Sequence, residues 1–253
     1  MIGPYSEGVT SRPRYAIYYV PAPDGDLHRF GADLLGYDAG SGEEQPFPDG
    51  ITQAVPDWHE LTRDPRKYGF HATLKAPFAL ALGKSETELI AACEAFAGTA
   101  RPIPVITPVV KAISGFVALV PAEYSAELNR LAADCVRHFD GFRAPLTAED
   151  RARRKPSVLT AAQVDHLDRW GYPYVMDDFR FHMTLTGKLP AERRDQLVAL
   201  LQHRFAALNL GAIAVDRIAL FRQNGSASRF RVLTHFALRP TAGRSITAEG
   251  ARA

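Results

Sequence analysis

Two short stretches of this chain carry the same pattern of residues, Phe-His-x-Thr-Leu. They occupy residues 70–74 and 181–185. Because side chains alternate between the two faces of a β-strand, His71 and Thr73 lie on one face of the first stretch. The same alternation places His182 and Thr184 together on one face of the second. Each stretch then presents an imidazole and a hydroxyl about 7 Å apart, with its apolar residues on the opposite face.

This set of side chains suits proton transfer at a phosphate. The ordinary pKa of histidine, about 6.5, is close to operating pH, so one imidazole can accept a proton while another donates one. Opening a cyclic phosphodiester needs both steps, because a proton leaves the attacking water and another reaches the departing sugar oxygen. Hydroxyls held in place can donate hydrogen bonds to the negative phosphate oxygens. If the two strands lie side by side, we predict four catalytic residues: His71, Thr73, His182 and Thr184.

Six other residues are candidates for contact with an anionic substrate: Lys75, Arg180, Thr186, Tyr19, Lys111 and Arg222. The first three share the catalytic face by alternation, and the last two end strands at loosely equivalent places in the two halves of the chain. The tyrosine could stack on a base or a sugar. Each has a structural alternative, since charged side chains often end strands in solvent and the tyrosine could pack in the core. The basic run 151–155 could likewise be a lid or a solvated helix face.

The elements around the two stretches recur in the same order. Each histidine strand is followed by a helix and then by strands. The predicted helices cover residues 85–98, 122–139 and 190–206, and the strands that follow cover 105–111, 116–120, 213–221 and 229–238. This order predicts an α+β fold with two pseudo-symmetric lobes of antiparallel sheet and outer helices around a shared cleft. We expect one domain over 14–239, a loose lead-in over 1–13 and a disordered tail over 240–253.

Three predicted helix starts carry a capping-box pair, in which a Ser or Thr is followed three residues later by a polar partner. The pairs are Ser85 with Glu88, Thr147 with Asp150, and Thr160 with Gln163. The last two pairs predict short helices within the segment 141–178.

The fuller wording of the two stretches, residues 68–78 and 180–187, resembles the paired H-x-T motifs of the 2H phosphoesterase superfamily. That superfamily includes cyclic nucleotide phosphodiesterases and 2′-5′ RNA ligase-like proteins. The wording is similar to one largely uncharacterised branch, whose genes are often found in operons for phosphonate degradation. The resemblance spans nearly the whole chain. It implies a bilobal fold with pseudo-two-fold symmetry, a site that works without a metal, and substrates that are phosphate esters with a neighbouring hydroxyl.

The composition narrows the classes of partner. The formal net charge of the 253 residues is only +2, which disfavours a long nucleic-acid footprint and allows a small phosphorylated substrate. The histidines outside the two stretches show no two-histidine metal spacing, and we expect no metal and no other cofactor. Cys93 and Cys135 fit a buried core in a reducing compartment. With no signal peptide and no long apolar run, we expect a cytoplasmic protein that does not bind membranes.

Three functions remain open from the sequence. The first is a metal-independent phosphoesterase that opens a cyclic phosphodiester of a small sugar or nucleotide. Through the resemblance, its substrate would be a cyclic ribose phosphate formed in phosphonate breakdown. The second is an RNA end-processing or ligase-like enzyme on the same scaffold, which would need a basic groove or stacking platform. The third is a non-catalytic binder of phosphorylated metabolites.

Overall fold

The two histidine motifs meet at the centre of one large antiparallel sheet. The computed structural model describes residues 12–241. Within this range the strands are β1 (Arg14–Tyr19), β2 (Ala72–Ala79), β3 (Val105–Ile106), β4 (Pro108–Ile113), β5 (Phe116–Pro121), β6 (Met183–Thr184), β7 (Ile213–Ala214), β8 (Arg217–Gln223) and β9 (Arg231–Ala237). The α-helices over the same residues are α1 (Asp26–Leu35), α2 (Ile51–Ala54), α3 (Trp58–Leu61), α4 (Arg63–Arg66), α5 (Glu86–Gly98), α6 (Ala126–His138), α7 (Ala148–Arg153), α8 (Ala161–Trp170) and α9 (Ala191–Ala206).

The sheet has seven strands in the order β4-β5-β6-β2-β1-β8-β9, and β3 pairs separately with β7. Every pairing between these nine strands of residues 12–241 is antiparallel. The order is symmetric about the boundary between β6 and β2, with β5 and β4 on one side matching β1 and β8 on the other. We call these halves the β6 lobe (β4, β5, β6) and the β2 lobe (β2, β1, β8, β9). The predicted α+β fold with two pseudo-symmetric lobes is confirmed.

The lobes interleave the two halves of the sequence. β5 follows the first histidine strand along the chain, yet it pairs with the second, through Ala118 with Thr184 and Leu119 with Met183. The partner of β2 in the same position is β1. Similarly, α5 follows β2 but packs on β8 and β9, while α9 follows β6 and packs on β4 and β5. The repeated order therefore predicted the elements themselves but not which lobe the strands after each helix would join.

Two of the predicted capping boxes are complete. The Ser85 hydroxyl accepts from the Glu88 N–H, and the Glu88 carboxylate accepts from the Ser85 N–H. Thr160 and Gln163 make the same reciprocal pair at the start of α8. At α7 only half of the box forms, because the Thr147 hydroxyl accepts from the Asp150 N–H while the Asp150 carboxylate accepts from that hydroxyl and not from the backbone.

The apolar residues of both motifs pack against the helices on one side of the sheet. They belong to a single buried cluster: Phe70, Ala72, Leu74, Phe181, Met183 and Leu185. The opposite face of the β2 lobe carries a smaller buried cluster around Tyr18, Tyr37, Phe221 and Phe230. Burying the apolar residues of each motif on the helix side leaves its histidine and first threonine on the other, as the alternation predicted.

Some predictions concern the ends of the chain and its compartment. Residues 1–11 and 242–253, nearly all of the predicted lead-in and tail, lie outside the described residues. Over residues 12–241, no helix combines the length and apolarity needed to cross a bilayer. Cys93 and Cys135 are free and buried, and burial raises the pKa of the Cys93 thiol to about 12.

Candidate active site

The two motifs face each other across the one ladder pair between β2 and β6 in residues 12–241. Ala72 of β2 pairs with Met183 of β6. In an antiparallel pair, the residue before one partner lies beside the residue after the other. This register places His71 beside Thr184 and Thr73 beside His182. All four side chains line one cavity of about 370 Å³ on the face of the sheet opposite the helices.

His71 is held by its backbone and by an aromatic ring. Its Nδ1 lies 2.9 Å from the carbonyl oxygen of Gly69, so Nδ1–H donates and Nε2 is the unprotonated ring position. The ring stacks on Tyr18 with 3.9 Å between centroids. Gly69 has a φ of 72°, a left-handed conformation that glycine adopts without strain. Burial, with the nearby His182 as a smaller cause, lowers the pKa of His71 to about 4, against the opposing effect of the Gly69 carbonyl.

His182 repeats the same local arrangement. Its Nδ1 lies 2.8 Å from the carbonyl oxygen of Arg180, two residues earlier, as Gly69 is to His71. The ring of Phe116 lies 5.6 Å from the imidazole, between centroids. Burial lowers the pKa of His182 from its ordinary value, and the hydrogen bond to the Arg180 carbonyl partly offsets the shift. Both rings are thus anchored through Nδ1, which leaves each Nε2 as the position that can exchange a proton with a ligand.

The two threonines supply hydroxyls between the rings. The Thr73 hydroxyl lies 3.3 Å from Nε2 of His71. Thr184 is half-buried, and within residues 12–241 its hydroxyl has no hydrogen-bond partner. A ligand that reaches Nε2 of either histidine therefore meets a hydroxyl donor on the neighbouring strand.

Lys75 lies away from the cleft, so its prediction as a substrate contact is wrong. Its side chain is only 3% exposed. The ammonium donates to the Val136 carbonyl and to the Asp140 carboxylate, each at 3.1 Å. Burial lowers the pKa of Lys75, and Asp140 opposes that shift. The residue fastens β2 to the end of α6.

A β-bulge explains why strand alternation failed at Lys75. The register of β1 with β2 steps from the pair Ile17–Lys75 to the pair Tyr18–Thr73. One extra residue, Leu74, is therefore inserted in β2 between them. A bulge shifts the alternation by one residue, so Thr73 and Lys75 no longer share a face.

Thr186 borders the site, but its hydroxyl is already hydrogen-bonded within the protein. Its side chain is fully buried, accepts a hydrogen bond from the Val117 N–H at 3.0 Å and donates one to the Gly187 carbonyl at 2.9 Å. The residue borders the cavity, but its hydroxyl continues the pairing of β5 beyond the end of β6. The prediction that it binds substrate is not supported by this geometry.

Tyr19 and Arg222 lie on the helix side of the sheet, away from the cleft, and for Tyr19 core packing is the alternative that the structure shows. Tyr19 is buried in the core beside Phe181, with ring centroids 5.9 Å apart, and burial raises its pKa. Arg222 pairs across the strands with Tyr15, a residue of the same core face. Its guanidinium binds Glu86 of α5 at 3.0 Å. Both residues are buried or paired on the helix side, so neither can contact a ligand in the cleft.

Arg180 and Lys111 are exposed, and only Arg180 lines the cleft. Arg180 borders a second cavity of about 500 Å³ that adjoins the first at His182. Lys111 lies in a cross-strand row with Ala118 and Thr184, two strands from the motif and outside both sets of lining residues. The role of each in substrate binding stays a prediction.

The structure adds site residues that the sequence did not single out. They are Arg14, Tyr18, Tyr68, Phe116, Arg154, Tyr172 and Lys188. Of these, only Arg154 was considered, as part of the basic run 151–155; its guanidinium lies 5.0 Å from the centre of the Tyr172 ring. β1 is apolar on both faces, so no alternation in hydropathy distinguished Tyr18 from Tyr19. Only the pairing of Tyr18 with Thr73 reveals the difference.

The cleft combines several cations with few acids. Arg14, Arg154 and Lys188 border the cavity that holds the motif side chains, and Asp64 is the one carboxylate among the described residues that line it. Over residues 12–241, no three His, Cys, Asp or Glu side chains are grouped so that they could hold a metal ion. An anionic group fits this charge distribution better than a cationic one.

Comparison with known proteins identifies relatives along most of the chain. The family described as "Protein of unknown function (DUF1045)" matches residues 73–231. A protein of Janthinobacterium sp. (strain Marseille) named ribose 1,5-bisphosphate phosphokinase PhnN is 36% identical over 226 residues, covering 87% of this chain and 49% of that protein. Its namesake in Laribacter hongkongensis (strain HLHK9) is 32% identical and is covered over 50% of its length. The chain thus spans about half the length of these curated relatives.

Solved structures with a similar course of the chain include E. coli LigT complexed with NADP+, at 14% identity and a TM-score of 0.40. A crystal structure described as a phosphoesterase matches at 13% identity and a TM-score of 0.37. Each alignment covers 90% of this chain and 99% of the other.

Proposed function

Since this chain belongs to the DUF1045 family, a family of unknown function, we propose its function from its own cleft: it is a metal-independent phosphoesterase. In this proposal it opens a cyclic phosphodiester of a small sugar or nucleotide by acid–base catalysis with two histidines. The product is a phosphomonoester with a free neighbouring hydroxyl.

One observation carries the proposal: the two histidines and two threonines line a single cavity on either side of the Ala72–Met183 pair. Each imidazole is anchored through Nδ1, so its Nε2 can face a phosphate placed between the strands. A base and an acid on opposite sides of phosphorus suit in-line displacement, in which the nucleophile enters opposite the leaving oxygen.

The environments of the two rings support an assignment of roles. His71, with a pKa lowered to about 4, is neutral at neutral pH and acts as the base. Its Nε2 removes a proton from water as the water oxygen bonds to phosphorus. His182 acts as the acid, and its Nε2 gives a proton to the sugar oxygen as the bond between that oxygen and phosphorus breaks. The negative charge of the bound phosphodiester raises the pKa of His182 and favours its protonated form.

The rest of the cavity would stabilise the charge that develops. Thr73 and Thr184 can donate hydrogen bonds to the oxygens of phosphorus that take no part in bond breaking. Arg14, Arg154 and Lys188 line the same cavity and offset the negative charge of the phosphate.

The relatives favour ribose esters as the substrate class. Two of them are named for a ribose bisphosphate, and the motif wording resembles a branch associated with phosphonate degradation. We therefore propose that the substrate is a cyclic phosphate of ribose or of a ribonucleoside, and that the protein acts in phosphonate metabolism. The kinase activity in those names is not part of the proposal, because this chain spans about half of each relative.

Hydrolysis assays test the proposal directly. Purified protein is incubated in EDTA with ribose 1,2-cyclic phosphate and with ribonucleoside 2′,3′-cyclic phosphates, and the products are identified by 31P NMR. We expect turnover in EDTA, and we expect His71→Ala and His182→Ala each to lower kcat by about 10²–10⁴-fold with little change in substrate affinity.

The other outcomes separate the alternatives. If EDTA abolishes turnover and a divalent metal restores it, the metal-free mechanism is wrong. A protein that binds these esters and never turns them over is a binder. Steeply salt-dependent binding of RNA, together with end joining or trimming, would instead indicate an RNA-processing enzyme.

A further inference from the structure

A second cavity lies directly beside the proposed phosphate position. It holds about 500 Å³ and opens into the first cavity. The residues that line both are Thr73, Ala76, Phe116, Tyr172, His182 and Lys188. A group esterified to a phosphate at the two motifs can therefore extend past His182 into this space. The volume is within the range of sites that enclose small organic ligands.

The walls of this second cavity are aromatic. Phe116 lies against His182 at its entrance, and Tyr172 and Tyr174 meet edge to face, with 5.6 Å between ring centroids. Tyr174 is 48% exposed, although few large apolar side chains in the described part of the chain are left open to solvent. An aromatic ring that is open to a cavity and not packed in a core is a surface on which a planar ligand can stack.

One wall of the cavity is polar and is itself held in place. Gln163 donates from Nε2 to Oδ1 of Asp178 at 2.9 Å, while its Oε1 accepts from the Thr160 N–H at 3.2 Å. The Thr160 cap of α8 therefore fixes the orientation of the Gln163 amide, and the amide fixes Asp178. Both Gln163 and Asp178 line the cavity. The other carboxylate oxygen, Oδ2, lies 3.3 Å from Nδ1 of His166. Each oxygen of a carboxylate held in this way keeps a further lone pair that can accept from an amino group on a ligand ring.

Aromatic walls for stacking and a fixed acceptor at the edge match the two features of a nucleobase, a planar face and a hydrogen-bonding rim. We propose that this second cavity, which we call the base pocket, binds the nucleobase of the substrate. The ester opened at the two motifs is then a cyclic phosphate of a ribonucleoside, not of unsubstituted ribose. Asp178 favours a base with an exocyclic amino group. This inference rests on the proposed function for its catalytic half only.

The test compares three esters and three tyrosine variants, with Asp178→Asn as a fourth variant that probes the amino group. The esters are cytidine 2′,3′-cyclic phosphate, uridine 2′,3′-cyclic phosphate and ribose 1,2-cyclic phosphate. Tyr174→Ala removes the exposed ring, Tyr174→Phe keeps it, and Tyr124→Ala removes a more exposed tyrosine outside the cleft (79% exposed). Because Tyr174 is half-exposed, we expect all three variants to fold.

Stacking on a single side chain gives the expected size of the effect. Tyr174→Ala should lower kcat/KM for the cytidine ester by about 5- to 150-fold, mainly through KM, and leave the ribose ester unchanged. Tyr174→Phe, which keeps the ring, should recover the activity on the cytidine ester that Tyr174→Ala loses, and Tyr124→Ala should behave as the parent protein. Asp178→Asn should reduce the preference for the cytidine over the uridine ester, because these bases differ in the amino group that a carboxylate accepts from.

A binding measurement keeps this proposal separate from the catalytic one. Calorimetry with cytidine 3′-monophosphate and ribose 5-phosphate needs no turnover. The base pocket is supported if the nucleotide binds more tightly than ribose 5-phosphate and Tyr174→Ala weakens that binding. This holds even if none of the esters is hydrolysed, since a lack of hydrolysis contradicts only the proposed function. Equal affinity for both ligands, or an equal loss on all three esters in Tyr174→Ala, overturns the base pocket while leaving hydrolysis intact.

Discussion

Replacing His71 with Gln should make the protein less sensitive to acid, although the substitution removes a proposed catalytic residue. The partly buried imidazole stacks on Tyr18, and desolvation lowers its pKa from 6.5 to about 4 on folding. The unfolded chain therefore takes up a proton at this residue below about pH 6.5, where the folded protein does not. A histidine whose pKa is lowered by folding contributes stability that is present above pH 6.5 and is lost as the pH falls toward 4.

The size of the effect follows from the shift. For a group with a pKa of 6.5 when unfolded and about 4 when folded, the free energy of unfolding drops by about 2.5 kcal/mol between about pH 7.5 and about pH 4.5. His71→Gln removes this contribution and leaves that of His182 in place. The wild type should therefore lose about 2.5 kcal/mol more than the variant over the same interval.

Urea denaturation at a series of pH values measures this difference, with the midpoint and slope fitted at each pH. His203→Gln is the matched control, because His203 is an exposed histidine on α9. We expect its pH dependence to follow that of the wild type. Parallel curves for the wild type and His71→Gln would contradict this prediction, since they would mean that folding does not desolvate the His71 imidazole.

Three further predictions concern activity and packing. The pH profile of kcat/KM should be bell-shaped with its maximum below pH 6.5, because burial lowers the pKa of both motif histidines. A flat profile between about pH 5 and about pH 9 would contradict the assignment of one histidine as base and the other as acid. Lys75→Met should lower the free energy of unfolding in urea by about 1–3 kcal/mol, since the half-buried Asp140 loses one of its two cationic partners. The variant should keep kcat/KM within about threefold of the wild type. A large loss of activity in folded protein would mean that Lys75 does contact the substrate. Gly31→Ala should cost about 1–3 kcal/mol by thermal or urea denaturation, because the new Cβ would overlap the Phe70 ring. An unchanged midpoint would show that the ring moves freely.

The candidate site could be predicted from the sequence as far as local patterns reach. His71, Thr73, His182 and Thr184 were found because a five-residue pattern occurs twice, and strand alternation gave each pair its common face. The capping pairs at Ser85 and Thr160 were equally local, since each involves residues three apart.

Prediction failed where the outcome depended on pairing between distant strands. The bulge at Leu74 follows from how β2 fits against β1, and it turned Lys75 from the cleft toward α6. Tyr18 and Tyr19 are adjacent tyrosines in a strand that is buried on both faces, so composition could not say which one meets His71.

Two matching histidine–threonine pairs, and the face of each strand that carries them, follow from the sequence alone, because a strand of defined alternation needs no distant partner to separate its faces. Tertiary structure alone decided that the half-sites join through Ala72 and Met183 and that Tyr18 stacks on one imidazole. It also decided that the segment after α8 sets an aromatic wall beside the other imidazole. These features depend on register and on contacts between residues far apart in the chain, which are fixed only when the whole sheet assembles and buries its apolar face.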